Sequence, residues 1–263
     1  MSEQFVTTRR DGSVEYVTLN RPDVRNALDE TVVAQLSKWA DRTSSDKSVR
    51  VAVLAGAGAA FCAGGDLAWM SRMADSPRDE NLRDATAWAR MFLALDALPC
   101  ALIGRIHGAA IGGGAGLVSV CDIAVAEKNT VFGFTEVKLG LIPAVIAPYA
   151  LGKIGPAAAR ELFLTGMRFS AARAREIGLV HGVVDANALD AAVQAYVQEC
   201  LTAGPEALSA AKSMIRQISG VPPSAALPAT AEALADRRAS SEGREGMQAF
   251  LDRRRPRWTK TRD

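Results

Sequence analysis

The chain has 263 residues, 49% hydrophobic and 23% charged, with 31 basic against 29 acidic side chains and a net charge of +2. This is the usage of an ordinary globular chain, large enough for one substantial core, and it excludes a fibrous or largely disordered protein. So even a charge balance offers no electrostatic case for nucleic acid or an anionic membrane surface as partner.

Residues 4–10 and 14–20, rich in Val, Thr and Tyr around Asp11-Gly12, predict a hairpin, which Asn20-Arg21-Pro22-Asp23 ends. Asp29 predicts the cap of a helix carrying Val32, Val33, Leu36, Trp39 and Ala40. Residues 50–55 read as a buried strand, Gly56 to Gly65 as a small-residue loop, Asp66 to Met73 as a helix start, and 79–97 as a helix. The pattern then recurs about 50 residues on: a strand at 100–106, a Gly-rich loop from Gly108 to Gly114, and a buried helix at 114–121. No third copy is expected. Short strands are expected at Asp122 to Ala126 and Thr130 to Phe132. Beyond Gly152 the chain reads as helices at 156–164, 170–177, 186–202, 205–217, 224–241 and 243–254, with one strand at 180–184. The expected organisation is an α/β core over residues 1–190 and a helical part over 191–263 that ends in a solvated basic tail.

Several chemistries fail at the motif level. Cys62, Cys100, Cys121 and Cys200 form no C-x-x-C and have no histidine cluster beside them, so neither a metal site nor a disulfide framework is expected. A reduced, cytoplasmic setting fits this usage. The first residues, MSEQFVTTRRDG, hold no apolar signal region. The longest uncharged runs, between Arg105 and Asp122 and between Lys138 and Lys153, fall short of the ~20 residues of a membrane helix. No phosphate-binding loop and no G-x-S-x-G occur, and Phe61 stands where a dinucleotide fingerprint wants glycine. Of the two histidines, His107 reads as a hydrogen-bonded structural residue at a strand end, and His181 carries no motif.

The informative feature is the pair of glycine loops. Gly64-Gly65 closes one and Gly112-Gly113-Gly114 the other, each ahead of a helix start. Helix N-termini carry free N–H groups and partial positive charge, and glycine lets backbone approach a ligand closely. Two such ends would suit an oxyanion hole for an enolate or a tetrahedral intermediate. Loop by loop, glycine that merely permits tight strand–helix packing explains the same residues.

The wording of these segments resembles the crotonase (enoyl-CoA hydratase/isomerase) superfamily over nearly the whole chain and in motif order. The matching stretches are Leu19-Asn20-Arg21-Pro22 with Arg25-Asn26-Ala27-Leu28, then Phe61-Cys62-Ala63-Gly64-Gly65-Asp66-Leu67, then His107-Gly108-Ala109-Ala110-Ile111-Gly112-Gly113-Gly114. Phe132-Gly133-Phe134-Thr135-Glu136 with Leu139-Gly140-Leu141-Ile142-Pro143, and Glu176-Ile177-Gly178-Leu179-Val180, complete the set. The resemblance implies a crotonase-like (ClpP/crotonase) spiral of ββα repeats with C-terminal helices that trimerise. It implies an acyl-CoA thioester substrate, coenzyme A being part of the substrate and no separate cofactor needed, and a homotrimer or dimer of trimers. By position, Gly65 and Gly113 would donate the oxyanion N–H groups and Glu136 would be the acid/base. Ala63, Asp66, Leu67 and Ala68 would line the CoA site, and Arg25 sits where the family often places a basic contact.

A proton beside a thioester carbonyl is weakly acidic, so its transfer asks for charge stabilisation at oxygen and a base near carbon. Phe132, Phe134, Val137 and Leu139 flank Glu136, and burial among them is expected to raise its pKa. One position departs from the family pattern: the helix after Gly113 has Gly116 where typical hydratases of the family have a second glutamate. Glycine there costs about 1 kcal/mol of helix propensity, and the expectation is added room beside the thioester for a branched or bulky acyl group. The local wording is closest to bacterial methylglutaconyl-CoA hydratase-like members, so the expected activity is hydration of a branched or carboxylated enoyl-CoA. The alternatives are a Δ3–Δ2 enoyl-CoA isomerase using Glu136 alone and a non-catalytic acyl-CoA-binding oligomer.

Overall fold

In the computed structural model, which describes residues 4–259, the Asp11-Gly12 turn closes a hairpin of β1 (Val6–Asp11) and β2 (Val14–Leu19). The last four residues of the basic tail lie outside the described residues. Asp29 accepts from the Val32 amide at 2.9 Å and starts α1 (Glu30–Ser45), whose Val32, Val33, Leu36, Trp39 and Ala40 are buried as their spacing requires. Next come β3 (Val51–Gly56), α2 (Leu67–Ala74) and α3 (Arg78–Asp96). They are followed by β4 (Ala101–Ile106), β5 (Ala109–Ile111), α4 (Gly113–Val120), β6 (Ile123–Glu127) and β7 (Val131–Gly133). A 3-10 turn at Glu136–Leu139 leads to α5 (Ala147–Thr165), β8 (Arg168–Ser170), α6 (Ala171–Glu176) and β9 (Gly182–Val184). The chain continues through α7 (Leu189–Thr202), α8 (Pro205–Ile218), α9 (Pro223–Ala239) and α10 (Ser241–Leu251).

The strands form two sheets. The larger runs β1-β2-β3-β4-β6-β9, parallel from β2 onward, and the smaller runs β5-β7-β8. Strand β3 is followed by a bridge at Cys62 and then by α2; β4 is followed by β5 and α4; β6 is followed by β7 and the turn that enters α5. The second and third repeats thus give one strand to each sheet, and the first gives a strand to the large sheet and a bridge from Cys62 to β5. The spiral makes a third turn that the glycine pattern hides, because its connection from β7 carries Phe134 and Glu136 in place of a glycine run. Strand β5 likewise lies inside the segment expected to be loop, and β8 precedes a helix where no strand is expected. Both are three residues long and owe their strand form to pairing with β7 rather than to local sequence.

Successive residues of β3, Val51, Ala52, Val53 and Leu54, are all buried because both faces of the large sheet are covered. Ala52, Leu54 and Leu102 face the core built by α1, α3 and α4, while Val51, Val53 and Ile103 pack on Leu189, Val193 and Val197 of α7. By packing, α7 therefore goes with the α/β core, and α8 to α10 make the C-terminal helical part. Lys212 of α8 ties that part down, donating to Asp122 Oδ2 at 2.7 Å, an oxygen that also accepts from the Leu102 amide. Arg50 does the same farther on, donating to the carbonyls of Leu201, Ala203 and Trp258. Among the described residues no helix is long and apolar enough to cross a membrane.

Candidate active site

The two glycine loops meet because the first joins the small sheet. The Phe61 amide donates to the His107 carbonyl at 2.9 Å, Cys62 to Ala109 at 3.0 Å, and Ile111 back to Cys62 at 3.1 Å. The next residues are pressed together: a β-carbon on Gly64 would stand 3.0 Å from the Ile111 carbonyl oxygen, and one on Gly112 would stand 4.0 Å from the Gly64 α-carbon. Gly64 has φ +102° and Gly112 φ +51°, a half of backbone space where a side chain would clash with its own peptide. Gly65 and Gly113 follow directly on this crossing pair. Among the described residues neither of their amides has an acceptor.

Glu136 is brought to the same place by β7. Phe132 and Phe134 are fully buried, and Phe134 meets Phe163 edge-on at 4.9 Å between ring centres. The Gly112 amide donates to the Gly133 carbonyl at 2.8 Å and fixes the second loop to the end of β7. Three residues on, the carboxylate of Glu136 lies against the second loop, its Oε1 3.3 Å from where a β-carbon on Gly112 would be. Its Oε2 is buried with no hydrogen-bond partner. Burial pushes the carboxyl above its ordinary pKa of 4.5, offset only in part by its own amide. Of the four apolar neighbours expected to bury it, Phe132 and Phe134 are inside, whereas Val137 and Leu139 are exposed.

The remaining expected residues line the first loop. The Arg25 carbonyl accepts from the Ala63 amide at 2.9 Å, and the Arg25 side chain is exposed beside it. Leu67 and Ala68 are exposed at the start of α2. Asp66 is engaged inside the chain: Oδ1 accepts from the Ala68 and Trp69 amides at 2.9 and 3.1 Å, and Oδ2 pairs with Arg21 at 3.0 Å. Burial raises its pKa, but those amides and Arg21 outweigh it and hold the carboxyl below its ordinary value. Asp66 thus shapes the loop. Arg21 also pairs with Asp29 at 3.1 Å, so one guanidinium joins the caps of α1 and α2.

Gly116 does not leave added room. A β-carbon there would stand 2.3 Å from Ile146 Cγ2 and 3.0 Å from Phe92 Cζ. Ile146, at the start of α5 and 2% exposed, fills the volume that a longer side chain at 116 would need. The expectation of space for a branched acyl group at this position is therefore overturned: glycine is required here by close helix packing.

Three contributors are not singled out in the sequence. Asn26 is buried and donates to the carbonyls of Ala57 and Ala60, both at 2.7 Å, pinning the first loop. Its place in the Arg25-Asn26-Ala27-Leu28 stretch was the available signal. Trp69 and Trp88 flank the glycine pair, and nothing local distinguishes them from core tryptophans. His107 and His181 are structural: His107 Nε2 lies 2.9 Å from the Gly58 carbonyl, and His181 Nδ1 accepts from the Ala124 amide at 3.1 Å.

The geometry matches known proteins closely. A family model described as enoyl-CoA hydratase/isomerase matches residues 9–261. A putative enoyl-CoA hydratase of Thermus thermophilus is 32% identical over 247 residues, which is 94% of this chain and 98% of that protein. The 2,3-dehydroadipyl-CoA hydratase of Escherichia coli is 34% identical over 97% of this chain and 98% of its own length. The crystal structure of an enoyl-CoA hydratase from Shewanella pealeana superposes with a TM-score of 0.93 at 36% identity, covering 97% of this chain and 96% of that one.

Proposed function

Because the chain belongs to the enoyl-CoA hydratase/isomerase family of the crotonase superfamily, we propose that it hydrates a 2-enoyl-CoA with Glu136 as its one acid/base. The observation that carries this reading is the buried, unpartnered Oε2 of Glu136 beside two glycine amides that have no acceptor. The Gly65 and Gly113 N–H groups bind the thioester oxygen and hold the negative charge that develops there. Water adds its oxygen to C3 and gives one proton to the Glu136 carboxylate. The same carboxyl then returns a proton to C2 of the enolate, so atoms and charge balance with a single side chain. A raised pKa suits a group that must both take and give a proton near neutrality. Arg25, Ala63, Leu67 and Ala68 form the rim on which the coenzyme A part lies, with Asp66 fixing the loop beneath it.

The acyl group of this reading is branched or carboxylated. One relative's name carries a dicarboxylic acyl group, which supports a carboxylated substrate. With the space at Gly116 closed, a substituent has to be taken up elsewhere, and a cleft of about 450 Å³ opens beside Trp69. A homotrimer or dimer of trimers is part of the same proposal: Ile215, Leu227, Leu234 and Phe250 on α8 to α10 are exposed apolar side chains suited to contacts between subunits.

A second reading, double-bond isomerisation, draws on Ile146. It leaves Glu136 without a second carboxylate, and one acid/base suffices to move a proton between C4 and C2. The deciding experiment offers straight, branched and carboxylated 2-enoyl-CoA and 3-enoyl-CoA to the protein and to Glu136→Gln. Loss of the conjugated thioester absorbance, abolished in the variant, supports hydration. Its appearance from 3-enoyl-CoA supports isomerisation. Binding of acyl-CoA with neither change marks a non-catalytic binding oligomer, and full rates in Glu136→Gln would remove the mechanism.

A further inference from the structure

Each of the two glycines that offer an amide has a tryptophan packed on it. A β-carbon on Gly65 would stand 3.0 Å from Trp69 Cζ3, and one on Gly113 would stand 3.1 Å from Trp88 Cζ3. The indoles also meet each other, with ring centres 5.0 Å apart and planes tilted by 37°. In both cases the six-membered edge of the ring faces the glycine, and the N–H lies on the other side. Asp84, one helical turn before Trp88 on α3, accepts from Trp69 Nε1 at 3.2 Å. The Trp88 N–H is buried and has no hydrogen-bond partner among the described residues. Asp84 therefore orients Trp69 from behind, and Trp88 is held by packing against it. Trp69 is half-buried and forms one wall of the 450 Å³ cleft, together with Met73 and Asp84.

We propose that Trp69, oriented by Asp84, and Trp88, packed against it, select the acyl group, and that the group they select is flat: an aryl-substituted or extended conjugated enoyl thioester. This rests on the acyl-CoA reading above and departs from its branched or carboxylated acyl group. A thioester whose oxygen lies between the Gly65 and Gly113 amides begins its acyl part in contact with both indole edges. A saturated chain needs only apolar volume there, which leucine would supply. Two indoles packed on each other present their edges, and a planar π system gains from edge-to-face contact beyond the area it buries.

The test uses titration calorimetry with two unreactive saturated esters, 3-phenylpropionyl-CoA and hexanoyl-CoA, on the full chain. The wild type is expected to bind the aryl ester about tenfold more tightly than the alkyl ester. Trp69→Leu is expected to bring the ratio to about one and leave hexanoyl-CoA affinity within about twofold, while Trp69→Phe keeps most of the preference. Asp84→Ala is expected to lose the preference and Asp84→Asn to keep it, as a positioning residue requires. Should Trp88→Leu fail to fold, the half-buried Trp69 and Asp84 variants still decide. Equal binding of both esters by the wild type, or an unchanged ratio in Trp69→Leu, overturns this inference alone. Failure of both esters to bind overturns the acyl-CoA reading with it.

Discussion

Ile146 stands where a side chain on Gly116 would have to grow: a β-carbon at 116 would lie 2.3 Å from Ile146 Cγ2. The two residues are one packing decision made by α4 and the start of α5. Gly116→Ala is therefore expected to destabilise the fold by about 1–3 kcal/mol, although alanine favours helix by roughly 1 kcal/mol. Ile146→Ala alone is expected to cost about 2–5 kcal/mol by opening a cavity. In the double variant the loss is expected to be smaller than the sum, because each change relieves the other. Urea unfolding of the four proteins measures the coupling, and strict additivity would contradict the contact.

Removing the carboxylate should separate chemistry from binding. Glu136→Gln is expected to lower kcat about a thousandfold and leave acyl-CoA affinity nearly unchanged, since Glu136 moves a proton and does not hold the thioester oxygen. Steady-state rates and calorimetric titration on the same preparation check both halves.

The same variant should be more stable at neutral pH. The folded-state pKa of Glu136 is raised by burial, so the folded chain holds this proton more tightly than the unfolded chain does. Stability then falls as pH rises through the window above about 4.5, and the ionised carboxylate opposes folding at pH 7. Glu136→Gln escapes that cost, and its thermal midpoint is expected to exceed the wild type's at pH 7 and to match it below about pH 4. The acid limb of the rate profile should likewise lie above the ordinary carboxylate value.

Asp66 should show the opposite dependence. Its folded pKa is held below the ordinary value, after burial is outweighed by the Trp69 and Ala68 amides and Arg21. The stability it supplies is present above the unfolded pKa of about 4 and is lost as pH falls through the folded value. Asp66→Ala removes a helix cap and leaves Arg21 with Asp29 alone, for an expected loss of about 2 kcal/mol or more. Asp66→Asn keeps the cap and loses only the charge, so its deficit against wild type should close in acid. A deficit that persists undiminished at pH 2 would show that the ion pair is not its source.

Much of the site was legible where the signal is local. The Asp29 and Asp66 caps, the hairpin at Asp11-Gly12 and the glycine runs at 64–65 and 112–114 each depend on residues within a turn of one another. The third turn of the spiral was not legible, because its connection from β7 carries no glycine run, and β5 and β8, three residues long, become strands only by pairing. Gly116 was recognised as a departure but read with the wrong sign. An absent side chain looks like space in one dimension, while the volume is filled by a residue thirty positions on.

By itself the amino-acid order determined that two glycine-ended loops precede helices and that one glutamate follows an aromatic strand, since backbone freedom, capping and burial pattern are properties of short segments. Only the tertiary structure decided that Gly64 lies against Gly112, that Glu136 lies against that contact with an unpartnered oxygen, and that Trp69, held by Asp84, packs with Trp88 on the two glycines. Those relationships join positions tens of residues apart. Close packing of side-chain shapes sets them, and a linear pattern does not encode it.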